Sequence, residues 1–178
     1  MIEILVADDE FLTRHLFEDV IIKRLKQPNW KFRFCDNGQE ALQCIRRGNP
    51  PIDIILLDIM MPGISGLELL EKIAEDFPLI RTIFISAYSE WGNIQNAMAL
   101  GAFGFITKPI DFDVLEDTLK RAVKSRRKYI ELLAALQEGR KHIGQAMRII
   151  DIADKMIDGI QKNKRTERFT VPTKKKHE

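Results

Sequence analysis

Five residues of this chain sit where short apolar runs end, and their types could do chemistry together. Asp8 and Asp9 follow the run Ile2–Ala7, Asp58 follows residues 52–57, Ser86 follows residues 82–85, and Lys108 follows residues 103–107. A carboxylate at the end of a buried segment is costly unless something outside pairs with it. Three carboxylates brought together repel one another and call for a cation. An all-oxygen donor set with no Cys or His group suits Mg²⁺ better than zinc. An aspartate nucleophile, Mg²⁺, a lysine and a hydroxyl are the parts needed to accept a phosphoryl group as an acyl phosphate. Each residue also has a plainer reading. Asp58 could cap a loop or the helix beginning near Gly66, and Asp8-Asp9-Glu10 could cap the helix that follows it. Ser86 could be an ordinary loop hydroxyl, and Lys108-Pro109 a plain turn.

The elements around these residues decide between the readings. Ile2–Ala7 and residues 52–57 are nearly continuous apolar runs, the pattern of strands buried on both faces. Residues 31–35 alternate polar and apolar, the sign of a strand near a sheet edge. Helical stripes lie between the strands. Phe11, Leu12, His15, Leu16, Val20 and Leu25 form the first, and Ala41, Leu42 and Ile45 the second. Leu67, Leu70, Ile73 and Ala74 form the third, and Ile94, Ala97, Met98 and Leu100 a sparser fourth; a fifth helix starts near Phe112. Pro28, Asn37-Gly38, Pro50-Pro51, Pro62-Gly63, Pro78 and Gly101 punctuate them.

Strand and helix repeated five times in alternation predict an α/β fold, a doubly wound five-stranded parallel sheet. Strand order 2-1-3-4-5 would put the first and third strands side by side at the switch point, where such folds bind ligands. Asp8 and Asp9 would then lie beside Asp58, with Ser86 and Lys108 at neighbouring strand ends.

In this order and spacing, Asp8-Asp9, Asp58 with Met60-Met61-Pro62-Gly63, Ser86-Ala87 and Lys108-Pro109 resemble the receiver domain of two-component response regulators. The resemblance spans residue 1 to about residue 125. It implies that Asp58 is the phosphoacceptor and that Asp8, Asp9, Asp58 and the Met60 backbone carbonyl hold Mg²⁺. It implies further that Ser86 and Lys108 contact the phosphoryl group and that Phe105 fills an aromatic switch position with Ser86. The Lys108-Pro109 bond is expected to be cis, and the donor to be a sensor histidine kinase or phosphotransfer protein.

Composition is that of an ordinary globular protein, 45% hydrophobic and 30% charged over 178 residues. The early acid Glu3, with no basic stretch before it, argues against a signal peptide, and no apolar run is long enough for a membrane span. Cys35 and Cys44 have no metal or redox spacing and read as buried thiols of a cytoplasmic protein. The net charge of +2 conceals an asymmetry: residues 1–110 carry 11 Lys and Arg against 15 Asp and Glu, and residues 111–178 carry 17 against 11. Two jobs are expected along one chain.

The fifth helix has a period of seven: Leu115, Ala122, Tyr129, Leu136, Ile143, Ile150 and Ile157. Its companion seam, Leu119, Arg126, Leu133, Arg140, Met147 and Asp154, alternates apolar with charged residues. That is a coiled-coil register with polar interruptions that could fix a partner. Gly139 and Gly144 weaken a continuous rod and could mark a turn. Residues 126–160 are therefore read as a helical homodimerisation or partner-docking extension, and the alternative is a helix folded back on its own domain. Residues 161–178, with seven Lys and Arg against two Glu, read as a basic, disordered tail. Nucleic-acid binding by the basic helices is an alternative without a supporting motif. A Mg²⁺-dependent aspartyl phosphohydrolase is another, although Ile59 and Met60 follow Asp58 where a second acid or base would be wanted.

Overall fold

The computed structural model describes residues 1–87, 91–137 and 152–153. Its strands are β1 (Ile2–Ala7), β2 (Trp30–Cys35), β3 (Ile54–Leu57), β4 (Arg81–Ser86) and β5 (Gly104–Thr107). Helix α1 runs through Phe11–Leu16, a π-helical segment Phe17–Ile21, and Ile22–Leu25. The others are α2 (Gly38–Arg47), α3 (Gly66–Ala74), α4 (Trp91–Ala99) and α5 (Phe112–Gln137). All strand pairs are parallel and the order is β2-β1-β3-β4-β5, as the sequence predicts. The chain divides into a compact unit Met1–Ala134 and a second, Ala135–Glu178. No helix among the described residues is long and apolar enough to cross a membrane.

Strand parity builds the core. Successive side chains point to opposite faces, so Leu5, Ala7, Ile55, Leu57 and Phe84 face one way and meet α2, α3 and α4 through Leu42, Ile45, Leu69, Leu70, Ile73 and Ala97. Ile4, Val6, Ile54, Leu56, Ile83 and Ile85 face the other way, against Phe17, Ile21 and Leu25 of α1 and Leu115, Leu119 and Ala122 of α5. Cys35 is buried in the first of these layers and its thiol is pushed up to about 12, first by burial; Cys44 is half-buried, so only one of the two is the buried thiol expected.

Helix α1 departs from its predicted stripe. Phe11 and Leu12 are 71% and 79% exposed and Val20 is also exposed, while Thr13, Phe17, Ile21 and Leu25 are buried. Those buried residues recur every four positions, a spacing that drifts about 40° per step around a 3.6-residue helix. The wider π-helical turn at Phe17–Ile21 takes up that drift and keeps the row on the core. In α3, Leu69 joins Leu70 and Ile73 on the buried side, Leu67 is partly buried against the same core, and Ala74 is exposed. In α4, Ala97 alone is fully buried and Met98 is exposed.

Two local devices shape the loop after β3. Ser65 caps α3 in a reciprocal capping box with Glu68, whose carboxyl is held below the usual carboxylate range by the Ser65 N–H and hydroxyl. Asp58 is therefore not that helix's cap. Gly66 donates its N–H to the Ile59 carbonyl at 2.8 Å, and a Cβ at Gly66 would collide with the Asp58 carbonyl. The chain after Asp58 can fold back this closely only because residue 66 lacks a side chain.

At the opposite end of the sheet, β3 is preceded by buried Asp53. Its Oδ2 accepts the Glu3 N–H at 2.7 Å, and its Oδ1 lies 2.6 Å from the Arg126 guanidinium. Arg81 stacks over Tyr129 at 5.3 Å to the ring centroid. Arg126, which in the sequence interrupts a seam facing another chain, is thus paired within its own. Leu119 of that seam and Leu115 and Ala122 of the uninterrupted row pack on the sheet, whereas Leu136 is exposed. Positions 138–151 and 154–178, which hold the remaining heptad positions, Gly139, Gly144 and the basic tail, lie outside the described residues.

Arg126→Met should lower the unfolding free energy by about 3–5 kcal/mol, because it strands a buried carboxylate. Asp53→Asn in the same chain should recover most of that loss, as read from denaturant unfolding of the two single variants and the double. Gly66→Ala should cost about 1–3 kcal/mol by forcing the Asp58 carbonyl aside, measured by thermal and denaturant unfolding.

Candidate phosphoryl-acceptor site

Parallel register carries the five predicted residues to one end of the sheet. Ala7 pairs with Leu57, Leu57 with Phe84, and Ser86 with Thr107. Ladder bonds continue one residue further: Asp58 N–H donates to the Ala7 carbonyl at 2.9 Å and Lys108 N–H to the Ser86 carbonyl at 3.0 Å. Asp8, Asp58, Ser86 and Lys108 are therefore fixed by the backbone before any side-chain contact forms.

The side chains then converge on Asp58. Ser86 Oγ donates to Asp58 Oδ1 at 2.6 Å, and the Met60 N–H reaches the same oxygen at 3.3 Å. Lys108 Nζ donates to Asp58 Oδ2 at 3.0 Å. The same ammonium lies 2.9 Å from Asp8 Oδ2 and 2.7 Å from Glu10 Oε2. Asp8 Oδ1 accepts the Glu10 N–H at 2.9 Å, which orients the loop between β1 and α1. Asp8, Asp58 and Ser86 are buried, Asp9 is exposed, and the Lys108-Pro109 bond is cis, as is Asn49-Pro50.

Burial pushes the Asp8 carboxyl above its ordinary value, against the pull of Lys108 and the Glu10 N–H. Burial alone would depress Lys108, but its bonds to Glu10, Asp8 and Asp58 outweigh it and hold the ammonium above the usual lysine value. The three carboxylates thus favour the charged form of the lysine.

Asp8, Asp9 and Asp58 each offer a carboxylate oxygen, and these oxygens lie within 4.8 Å of one another. Three hard anionic donors at that spacing fit a divalent cation. Phe105 is partly buried on β5 and stacks against Phe84 at 6.2 Å between centroids. It lines a cavity of about 430 Å³ with Ile94, Met98, Thr107, Pro109 and Val114. Sequence reading missed Glu10 as a member of the site. Its only signal was its place directly after Asp8-Asp9, and Glu10 begins α1 without a side-chain cap bond.

The receiver-domain model of response regulators matches residues 4–120. Sporulation initiation phosphotransferase F of Bacillus subtilis is 33% identical over 119 residues, covering 67% of this chain and 91% of that protein. The 3',5'-cyclic-nucleotide phosphodiesterase regA of Dictyostelium discoideum is 29% identical over 168 residues, 90% of this chain but only 21% of that protein's length. Among solved structures, a chain of the CheX-CheY-BeF3-Mg²⁺ complex from Borrelia burgdorferi superposes with a TM-score of 0.60 at 26% identity, covering 68% of this chain and 89% of that one. A doubly wound sheet in the order 2-1-3-4-5, a carboxylate cluster at its switch point and a family match across that whole fold lead to one assignment: the chain belongs to the response regulator receiver domain family.

Proposed function

We propose that Asp58 is the phosphoacceptor of a two-component signalling switch. The observation that carries this reading is the separate tethering of its two carboxylate oxygens, one by the Ser86 hydroxyl and the other by the Lys108 ammonium. A carboxylate so held is oriented for in-line attack, and the same donors can follow charge onto a phosphoryl group. An Asp58 oxygen attacks phosphorus, the bond from phosphorus to the donor's histidine nitrogen breaks, and its electron pair stays on the imidazole. Asp8, Asp9, Asp58 and the Met60 carbonyl are the groups that would hold Mg²⁺. When bound, the ion would supply positive charge against the carboxylates and the phosphoryl oxygens. Ser86 and Phe105 would then relay the change towards α4, β5 and α5.

A protein donor, a sensor histidine kinase or phosphotransfer protein in the cytoplasm, is supported by what surrounds the acceptor. Phe11, Leu12, Met60 and Trp91 are all large apolar side chains exposed in segments that follow strand ends. Such residues near a polar site favour a protein surface over a small donor. Output is assigned to the C-terminal segment. In this reading a receiver of residues 1–125 drives a homodimerising or docking helix of residues 126–160, followed by the basic tail 161–178.

Asp58→Asn should abolish labelling by acetyl phosphate while leaving the circular dichroism spectrum unchanged, since it keeps the shape and removes the nucleophile. Chelation of divalent ions should do the same to the parent. Label appearing at another residue, or persisting in excess chelator, would refute the assignment. Leu136→Glu with Ile143→Glu should turn a dimer into a monomer that still labels at Asp58, because like charges would be buried at the seam. Sedimentation of a parent already monomeric at tens of micromolar, against dissociation constants of about 1 μM, would exclude the dimer.

A further inference from the structure

Lys108 has no unused hydrogen. An ammonium carries three N–H donors and no acceptor, and this one faces three carboxylates: Glu10 at 2.7 Å, Asp8 at 2.9 Å and Asp58 at 3.0 Å. In the reading given above, on which this inference rests, Lys108 must also bind an oxygen of the incoming phosphoryl group. One of its partners has to leave. The three are not equally able to do so. Asp8 is buried, with its second oxygen tied to the Glu10 N–H. Asp58 is buried, tied to Ser86 and Met60, and is itself the nucleophile. Glu10 has a side chain 59% exposed, and among the described residues its carboxylate meets, apart from Lys108, only the Thr13 hydroxyl at 3.3 Å.

We infer that Glu10 is the exchangeable partner of Lys108, a carboxylate that occupies the position later taken by a phosphoryl oxygen and so restrains phosphorylation. Glu10 is a positioning residue, acting through the lysine. Its displacement into water is cheap in desolvation, because most of the group is already wet, and costs chiefly the ion pair. Its negative charge at the mouth also opposes an anionic donor, an effect that salt should screen. The shortest of the three bonds is thus the one placed to break.

Glu10→Gln tests this, because the amide keeps the length of the side chain and an oxygen for Thr13 while removing the charge. With Mg²⁺ present, the variant should label at Asp58 with acetyl phosphate roughly two- to fivefold faster than the parent, the range that one exposed ion pair supports. Its affinity for beryllofluoride, read from tryptophan fluorescence, should rise by a similar factor, and both gains should shrink in about 1 M salt. Thermal unfolding without donor should not change in parallel, which separates a restraint on the lysine from a general change in packing. Equal or slower labelling by the variant, with the parent labelling normally at Asp58, overturns the role of Glu10 and leaves the acceptor assignment standing. A parent that takes no label at Asp58 overturns both. A structure of the beryllofluoride-loaded parent with the Lys108–Glu10 bond intact also rejects the exchange.

Discussion

Like-charge repulsion at the end of a parallel sheet is the constraint to which the rest of this molecule answers. Asp8 and Asp58 are buried within reach of each other and of Asp9, an arrangement no isolated peptide would hold. It persists because the backbone leaves no choice: ladder bonds between β1, β3, β4 and β5 run past the last paired residues and fix where each side chain starts. Among the described residues, the repulsion is offset by the Lys108 ammonium, which follows β5. A site built in this way is short of positive charge by design. Its three carboxylates are placed so that they could hold a small cation.

The rigidity needed for that geometry comes from the two apolar layers. Central strands bury Ile, Leu and Val on both faces, so β1 and β3 cannot slip by one residue without exchanging the layers beneath the helices. The loops are held less by burial than by local bonding. The capping box at Ser65 and Glu68, the close approach at Gly66 and the Asp8–Glu10 turn each fix a short segment close to Asp58. Stiff strands and tightly tied loops together keep donors within hydrogen-bond distance of Asp58.

Much of this was legible in the sequence, for physical reasons. Apolar runs broken by Gly and Pro announce strands, and acids, hydroxyls and lysines at their ends announce a site, because a polar group there has a cost that only function or pairing can justify. Handedness favoured an open doubly wound sheet, while the order 2-1-3-4-5 entered as the arrangement that would bring the strand-end acids together. The inward face of α1 was legible only in part: Leu16 and Leu25 do meet the core, but the π-helical turn at Phe17–Ile21 that places Phe17 and Ile21 there leaves no compositional mark. Glu10 was hidden as one acid in a run of three. Asp53 and Arg126 were hidden by distance along the chain: nothing in either neighbourhood says that a charge beside β3 and a charge on α5 meet. The period of seven on α5 was real, but its first turns serve the sheet, a duty that periodicity alone cannot tell from pairing with a second helix.

The Asp53–Arg126 pair gives the fold a natural seam for recombination. Residues up to Arg126 are committed to the sheet by buried Leu115, Leu119 and Ala122 and then by the ion pair itself, whereas Leu136 makes no such commitment. A foreign helix spliced after Tyr129 in unbroken helical phase would inherit a fixed point of departure and a fixed rotational setting without disturbing a single group around Asp58. The same splice made before Arg126 would strip a buried carboxylate of its counter-ion at the base of the very strand that presents Asp58. A change of the helix beyond Tyr129 is thereby kept separate, by one buried charge pair, from the end of the sheet that carries Asp58.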